Sequence, residues 1–100
     1  MTRPTLRIAD PGRGFGAMYD GEDTSVTLHP KYGCNGMTLL HELAHHICTL
    51  RYPKAQDHGA AFCRIYGELL DRTRLVPFAG WKAVCARHGV KVLRYLPRSN

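Results

Sequence analysis

The sequence predicts an α+β fold, in which a small antiparallel sheet packs on a histidine-bearing helix and two further helices close the core. Two short β-prone runs separated by a turn occupy residues 15–29. A helical segment follows at 37–51, and two more lie in the second half of the chain. The chain of 100 residues has the size of one small domain, and we expect residues 1–100 to form it.

The predicted sheet is a hairpin. Residues 1–14 contain two prolines and two glycines, which predicts a loosely ordered start with a short strand at 5–9. The first run of the hairpin is 15–20, and in the second run, 24–29, apolar Val26 and Leu28 alternate with polar neighbours. Between the two runs, the Asp-Gly pair that starts Asp20-Gly21-Glu22-Asp23 favours a tight turn, and Pro30 ends the second run.

Apolar spacing predicts the first helix. Its stripe recurs at helical intervals and consists of Leu40, Leu43, Ala44, Ile47 and Leu50. Asn35 or Thr38 is suited to cap its start, and Pro53 requires it to stop shortly before.

Two more helices are expected after a connection at 52–57. Asp57 is the predicted N-cap of the second helix, whose inward face contains Phe62, Ile65 and Leu69. The third helix is expected from Pro77 to about His88, with Gly89 as its stop. Residues 91–100 are predicted to form a tail or a short strand.

Composition excludes several classes of protein. No apolar run approaches the ~20 residues that cross a bilayer, and the N-terminus lacks the features of a signal peptide, so we expect a cytoplasmic location. The four cysteines form no C-x-x-C pair and are interpreted as reduced, mostly buried thiols. A Cys48–Cys63 bridge between neighbouring helices is the alternative that the sequence leaves open.

The net charge of +6 is unevenly distributed. The stretch from residue 72 to 100 holds no acidic residue and seven basic ones: Arg72, Arg74, Lys82, Arg87, Lys91, Arg94 and Arg98. A solubilising surface explains such a stretch, and a binding surface for nucleic acid or another anionic partner is the sharper hypothesis. No recognised nucleic-acid motif accompanies it.

Within the first helix, His41, Glu42 and His45 form the pattern H-E-x-x-H. Residues four apart lie one turn apart on the same helix face, so His41 and His45 can direct two imidazoles at one zinc ion. Glu42 lies about 100° round the helix, from where its carboxylate can reach a metal-bound water and take its proton. Its neighbour His46 is expected to be exposed or bonded to a loop.

A catalytic zinc usually has three protein ligands, so a third must come from elsewhere. The arrangement with a further histidine six residues after His45 fails, because that position is Arg51. His58 is the best candidate, since it begins a helix predicted to pack on the first one and is followed by the small residues 59–61. Glu68, Asp57 or a cysteine remain alternatives.

His41-Glu42-Leu43-Ala44-His45 followed by His58-Gly59-x-x-Phe62 resembles the small SprT-like branch of the zincin metallopeptidases. The pattern is also similar to short metallohydrolases of actinobacteria and their phages, and it spans roughly residues 15–70. The resemblance implies a zincin-like fold, zinc on His41, His45 and His58, and Glu42 as general base and acid. It further implies that the strand at 24–29 lies along the cleft and pairs with an extended peptide or protein substrate.

The predicted function is therefore zinc-dependent hydrolysis of peptide bonds. Three alternatives stay open: a non-catalytic zinc-stabilised binding module with nucleic acid as a candidate partner, a hydrolase of non-peptide amides, and a closed structural site with Cys48 as fourth ligand. Tyr66 is the first tyrosine to consider for stabilising an oxyanion, against plain core packing.

Overall fold

The computed structural model describes residues 3–94 of the chain. It divides into two compact units, one ending at His46 and the other beginning at Ile47, so that the boundary falls inside a helix. In order, the elements are β1 (Thr5–Ile8), β2 (Ala17–Asp20), β3 (Ser25–Leu28), α1 (Gly36–Arg51), α2 (Ala60–Arg72) and α3 (Phe78–Arg87). The predicted α+β class with three helices is confirmed.

The first unit contains the sheet, and the predicted hairpin is present as antiparallel β2 and β3. The prediction of a purely antiparallel sheet is wrong. β1 pairs with β3 in parallel, from Thr5 opposite Ser25 to Ile8 opposite Leu28. The strand order is β1-β3-β2. The strand predicted to lie open to a substrate is thus the central one, and its backbone is already paired on both sides.

The first unit also contains the start of α1, which begins where the sequence predicts. Asn35 caps it, since the Asn35 side-chain oxygen accepts a hydrogen bond from the Thr38 backbone N–H at 2.8 Å. Leu40 and Ala44 of the predicted stripe are buried, as are Val26 and Leu28 of the sheet. The stripe does not continue to the end of the helix, because Leu50 is exposed.

In the second unit, α2 packs against α3. Gly67 makes this packing close, because a side-chain carbon there would overlap the indole of Trp81. The Trp81 indole N–H donates to the Cys63 carbonyl at 2.8 Å, and its ring meets the Tyr66 ring edge-on at 5.0 Å. Tyr66 is thus a core residue, and burial raises the pKa of its hydroxyl.

The helix ends of the second unit differ slightly from the prediction. Pro77 is the N-cap of α3 rather than its first residue, and Gly89 follows the helix with a φ of +69°, as expected of a glycine stop. Residues 91–94 form no strand, and the rest of the predicted tail, 95–100, lies outside the described residues.

The cysteines are free thiols: Cys34 is exposed, and Cys48, Cys63 and Cys85 are buried. The alternative Cys48–Cys63 bridge is therefore absent. The Cys63 thiol donates to the His58 carbonyl at 3.7 Å, and burial raises the pKa of both Cys63 and Cys85.

Six of the seven basic residues after position 71 lie in the described part of the chain, and all six are exposed. The seventh, Arg98, lies outside it. Among residues 3–94, no helix has the length and apolar character needed to cross a membrane.

Candidate metal centre

His41 and His45 are one turn apart on α1, as the helical spacing predicts. Their ring centroids are 4.9 Å apart and the ring planes meet at 89°. Both residues are half-buried. The capped and regular helix therefore presents two imidazoles side by side, with access to solvent retained.

His58 reaches the site from the turn before α2. The helix begins at Ala60 with Gly59 as its N-cap, so the prediction of Asp57 as N-cap is wrong. The reason is local: His58 adopts a left-handed backbone with a φ of +52°, which redirects the chain before the helix starts. Its side chain is 54% exposed, and its ring meets the Phe62 ring edge-on at 4.9 Å.

Gly59 completes this turn. Its N–H donates to the Gln56 carbonyl at 3.0 Å, and a side-chain carbon on Gly59 would lie only 2.9 Å from that same oxygen. The three nearest atoms to such a carbon all belong to Gln56 of the same turn.

The structure brings together the three histidines that the sequence selected. One ring nitrogen from each of His41, His45 and His58 lies within 4.8 Å of the others. The group could hold a metal ion. In a tetrahedral site with metal–nitrogen distances near 2.0–2.1 Å, ligand nitrogens are roughly 3.3 Å apart. The rings therefore need to close by up to about 1.5 Å, which is within reach of side-chain rotation at the exposed His58.

Glu42 lies next to this group. Its carboxylate is buried, with 9% of the side chain exposed, and its Oε1 is 3.3 Å from Nδ1 of His41. An ionised carboxylate only accepts hydrogen bonds, so this contact favours the His41 tautomer with its proton on Nδ1. Nε2 of His41 then carries the lone pair that a metal requires.

The alternative third ligands lie outside the group of three histidines. Glu68 is held by Arg64, whose Nε and Nη2 are each 3.0 Å from Glu68 Oε1. Asp57 Oδ2 lies 3.6 Å from Nδ1 of His58.

Cys48, the suggested fourth ligand, is buried, and burial together with the Asp57 charge raises the pKa of its thiol. Metals bind the thiolate, so this shift opposes ligation. Within residues 3–94, the group contains three histidines and no fourth histidine, cysteine or carboxylate ligand.

His46 is the residue that sequence reasoning misjudged. It is 1% exposed rather than at the surface, and its Nδ1 is hydrogen-bonded to the Tyr19 hydroxyl at 2.9 Å. This bond joins β2 to α1 directly beside His45. Burial, followed by the nearby Asp20 and Asp23 charges, raises the pKa of Tyr19. One feature of the sequence could have indicated that His46 is buried. It follows Glu42 by four residues, so both lie on the same side of α1, and that side is buried.

His29 and His88 do not join the group of three. His29 Nδ1 accepts hydrogen bonds from the backbone N–H groups of Lys31 and Tyr32, as expected of a turn histidine. His88 is the C-cap residue of α3 and is exposed.

Comparison of the chain with protein-family models, with curated proteins and with solved structures finds no match.

Proposed function

We propose that the chain is a zinc-dependent metallopeptidase, with His41, His45 and His58 as metal ligands and Glu42 as general base. The observation that carries the proposal is the convergence of the three imidazoles, two from one helix and one from a distant turn. His58 is also one of four non-glycine residues with a positive φ in the described part of the chain, a conformation that costs on the order of 1 kcal/mol and is frequent at functional sites.

Zinc is the metal that we propose for this site. Imidazole nitrogen suits zinc, copper, iron and nickel alike, so donor type alone does not select among them. Three neutral ligands with no further side-chain ligand are typical of catalytic zinc. A bound zinc ion would supply a water of lowered pKa and polarise a substrate carbonyl.

The remaining chemistry falls to residues of this chain. Glu42 takes a proton from the attacking water and later delivers it to the leaving nitrogen. Its burial keeps bulk water away from the carboxylate, and its contact with His41 fixes the position of that carboxylate next to the histidine group. His41 in turn is oriented by this contact, so Glu42 also acts as a positioning group for the first ligand.

Two observations support the proposed peptide substrate and the proposed relationship to SprT-like zincins. One is the H-E-x-x-H motif, and the other is the order of the elements along the chain: the hairpin, then the motif helix, then the segment with His58. An extended peptide that adds to this sheet must pair with an outer strand, β1 or β2, since β3 is paired on both sides.

Replacing Glu42 with glutamine tests the proposal. The Glu42→Gln protein should keep about one zinc per chain, while peptide hydrolysis falls by roughly 10²–10⁴-fold, as expected for loss of a general base. Metal content is measured by atomic emission and hydrolysis with a fluorogenic peptide library. Glu22→Gln is the matched control, because Glu22 is exposed in the hairpin turn and should leave both quantities unchanged.

Each other outcome points to one of the remaining hypotheses. Unchanged hydrolysis in Glu42→Gln contradicts the role of Glu42. Zinc binding without hydrolysis of any peptide or amide in the unmodified protein indicates a binding module. Cleavage of small amides alone indicates a non-peptide hydrolase.

A further inference from the structure

A small cavity lies between the end of α1 and α2, within the second unit. Its volume is about 120 Å³. The lining residues are Ile47, Arg51, Ile65, Glu68, Leu69 and Arg72. None of them belongs to the histidine group, and none has a role in the proposed hydrolysis.

The apolar part of the cavity comes from three branched aliphatic side chains. Ile65 is buried, whereas Ile47 and Leu69 are half-buried and remain accessible to a ligand. Cavities for cofactors and drug-sized ligands measure roughly 300–1,000 Å³. This one has room for about one aliphatic side chain, and no aromatic ring lines it on which a base could stack.

The charged part of the cavity is positive. Glu68 is neutralised by Arg64 at 3.0 Å. Arg51 and Arg72 are exposed, and within residues 3–94 neither forms an ion pair. The carboxylate beside Arg72 in the chain, that of Asp71, accepts a hydrogen bond from the Phe78 backbone N–H at 3.1 Å.

We propose that this cavity binds the C-terminal residue of a peptide when that residue is aliphatic. The side chain fills the space against Ile47, Ile65 and Leu69. The terminal carboxylate accepts hydrogen bonds from the guanidinium groups of Arg51 and Arg72, which match a planar carboxylate. A C-terminal leucine, isoleucine or valine carries both features on one residue, whereas an internal acidic residue brings the charge without the aliphatic body.

The contrasting explanation is that the arginines only complement helix dipoles, because Arg51 is the last residue of α1 and Arg72 the last of α2. Arg87 separates the two explanations. It is the last residue of α3, is likewise exposed, and does not line the cavity. If the arginines only complement helix dipoles, all three should behave alike. If the cavity binds a carboxylate, only Arg51 and Arg72 should affect binding.

The experiment is an NMR titration of the ¹⁵N-labelled full chain with acetyl-Ala-Ala-Leu that has a free carboxylate, with peptide integrity checked by mass spectrometry. We expect saturable shifts at Ile47, Ile65 and Leu69. The dissociation constant should rise at least tenfold for the C-terminal amide, for a peptide ending in glycine, and in Arg51→Gln or Arg72→Gln. Arg87→Gln should bind like the unmodified chain.

Several results would overturn the proposal. If the C-terminal amide binds as tightly as the free-carboxylate peptide, the carboxylate has no role. If inorganic phosphate binds as tightly as that peptide, the cavity is a general anion-binding surface. Equal binding of acetyl-leucine alone indicates a small carboxylate ligand rather than a peptide. Absence of saturable shifts in a folded protein, verified by its thermal transition, excludes the site. All of these results are obtained without measuring hydrolysis, so they do not depend on the proposed peptidase activity.

Discussion

The two sources of the histidine group differ in how their backbones are held. α1 supplies His41 and His45 from a regular helix that is capped by Asn35 and anchored to the sheet through the Tyr19–His46 bond. The turn before α2 supplies His58 from a left-handed backbone conformation, with more than half of the side chain exposed.

This difference separates two ways of placing a ligand. On α1, the energy that forms the helix and buries its inner residues also positions both imidazoles, so we expect them to be ordered with or without a metal. At the turn, a non-glycine residue with positive φ costs of order 1 kcal/mol, and the exposed ring contacts Phe62 and Asp57. We therefore expect His58 to be the adjustable ligand that closes the site.

The largest expected effect is the stabilisation of the fold by zinc. At a free zinc concentration about 1,000 times its dissociation constant, the unmodified chain should gain roughly 4 kcal/mol in free energy of unfolding. His41→Ala and His45→Ala should abolish this gain, because each removes a pre-positioned ligand. His58→Ala should retain weaker binding through the two helix histidines. Urea unfolding with and without zinc measures the differences.

His88→Ala is the control for these variants, since His88 is an exposed histidine at the end of α3. It should show the full gain on addition of zinc. If His58→Ala also showed the full gain, the third ligand would lie elsewhere. If all three histidine variants lost the gain equally, the distinction between helix and turn ligands would be wrong.

The next largest effect concerns the anchor of α1. Tyr19→Phe removes the hydroxyl bonded to Nδ1 of buried His46, and loss of such a buried partner costs about 1–3 kcal/mol of folding stability. Urea unfolding of the metal-free protein measures this cost. Tyr32→Phe is the control, because Tyr32 is 66% exposed, and it should change stability by less than about 0.5 kcal/mol. A cost no larger than that of the control would mean that the bond does not secure the helix.

The same contrast explains how much the sequence could predict. The motif helix, its Asn35 cap and the hairpin were predictable, because each depends on spacing or turn chemistry between residues close in the chain. His58 was selected despite its distance from the motif, because it was expected to begin a helix packed on the first and is followed by small residues, and the structure places it near His41 and His45.

The errors lie where distant contacts decide the outcome. β1 pairs in parallel with a strand about 20 residues later, and no local pattern specifies such a pairing. His46 was expected to be exposed or bonded to a loop, because a polar residue on a second helix face is usually solvated, but Tyr19 of β2 offers it a buried partner. The assignment of Asp57 as N-cap failed because sequence alone did not indicate the left-handed conformation of His58.

The smallest expected effect tests the cost of that conformation. His58→Gly relieves a positive φ but also makes the unfolded chain more flexible, so the metal-free protein should become more stable by at most about 1 kcal/mol. Thr24→Gly is the matched control, because Thr24 has the same φ of 52° in the hairpin turn and lies outside the histidine group. Both variants should be neutral or stabilised without metal in urea unfolding, and only His58→Gly should lose most of the gain from zinc. If His58→Gly were instead destabilised by more than 1 kcal/mol without metal, the His58 ring would support the fold itself, and its strained backbone would no longer be evidence for a ligand.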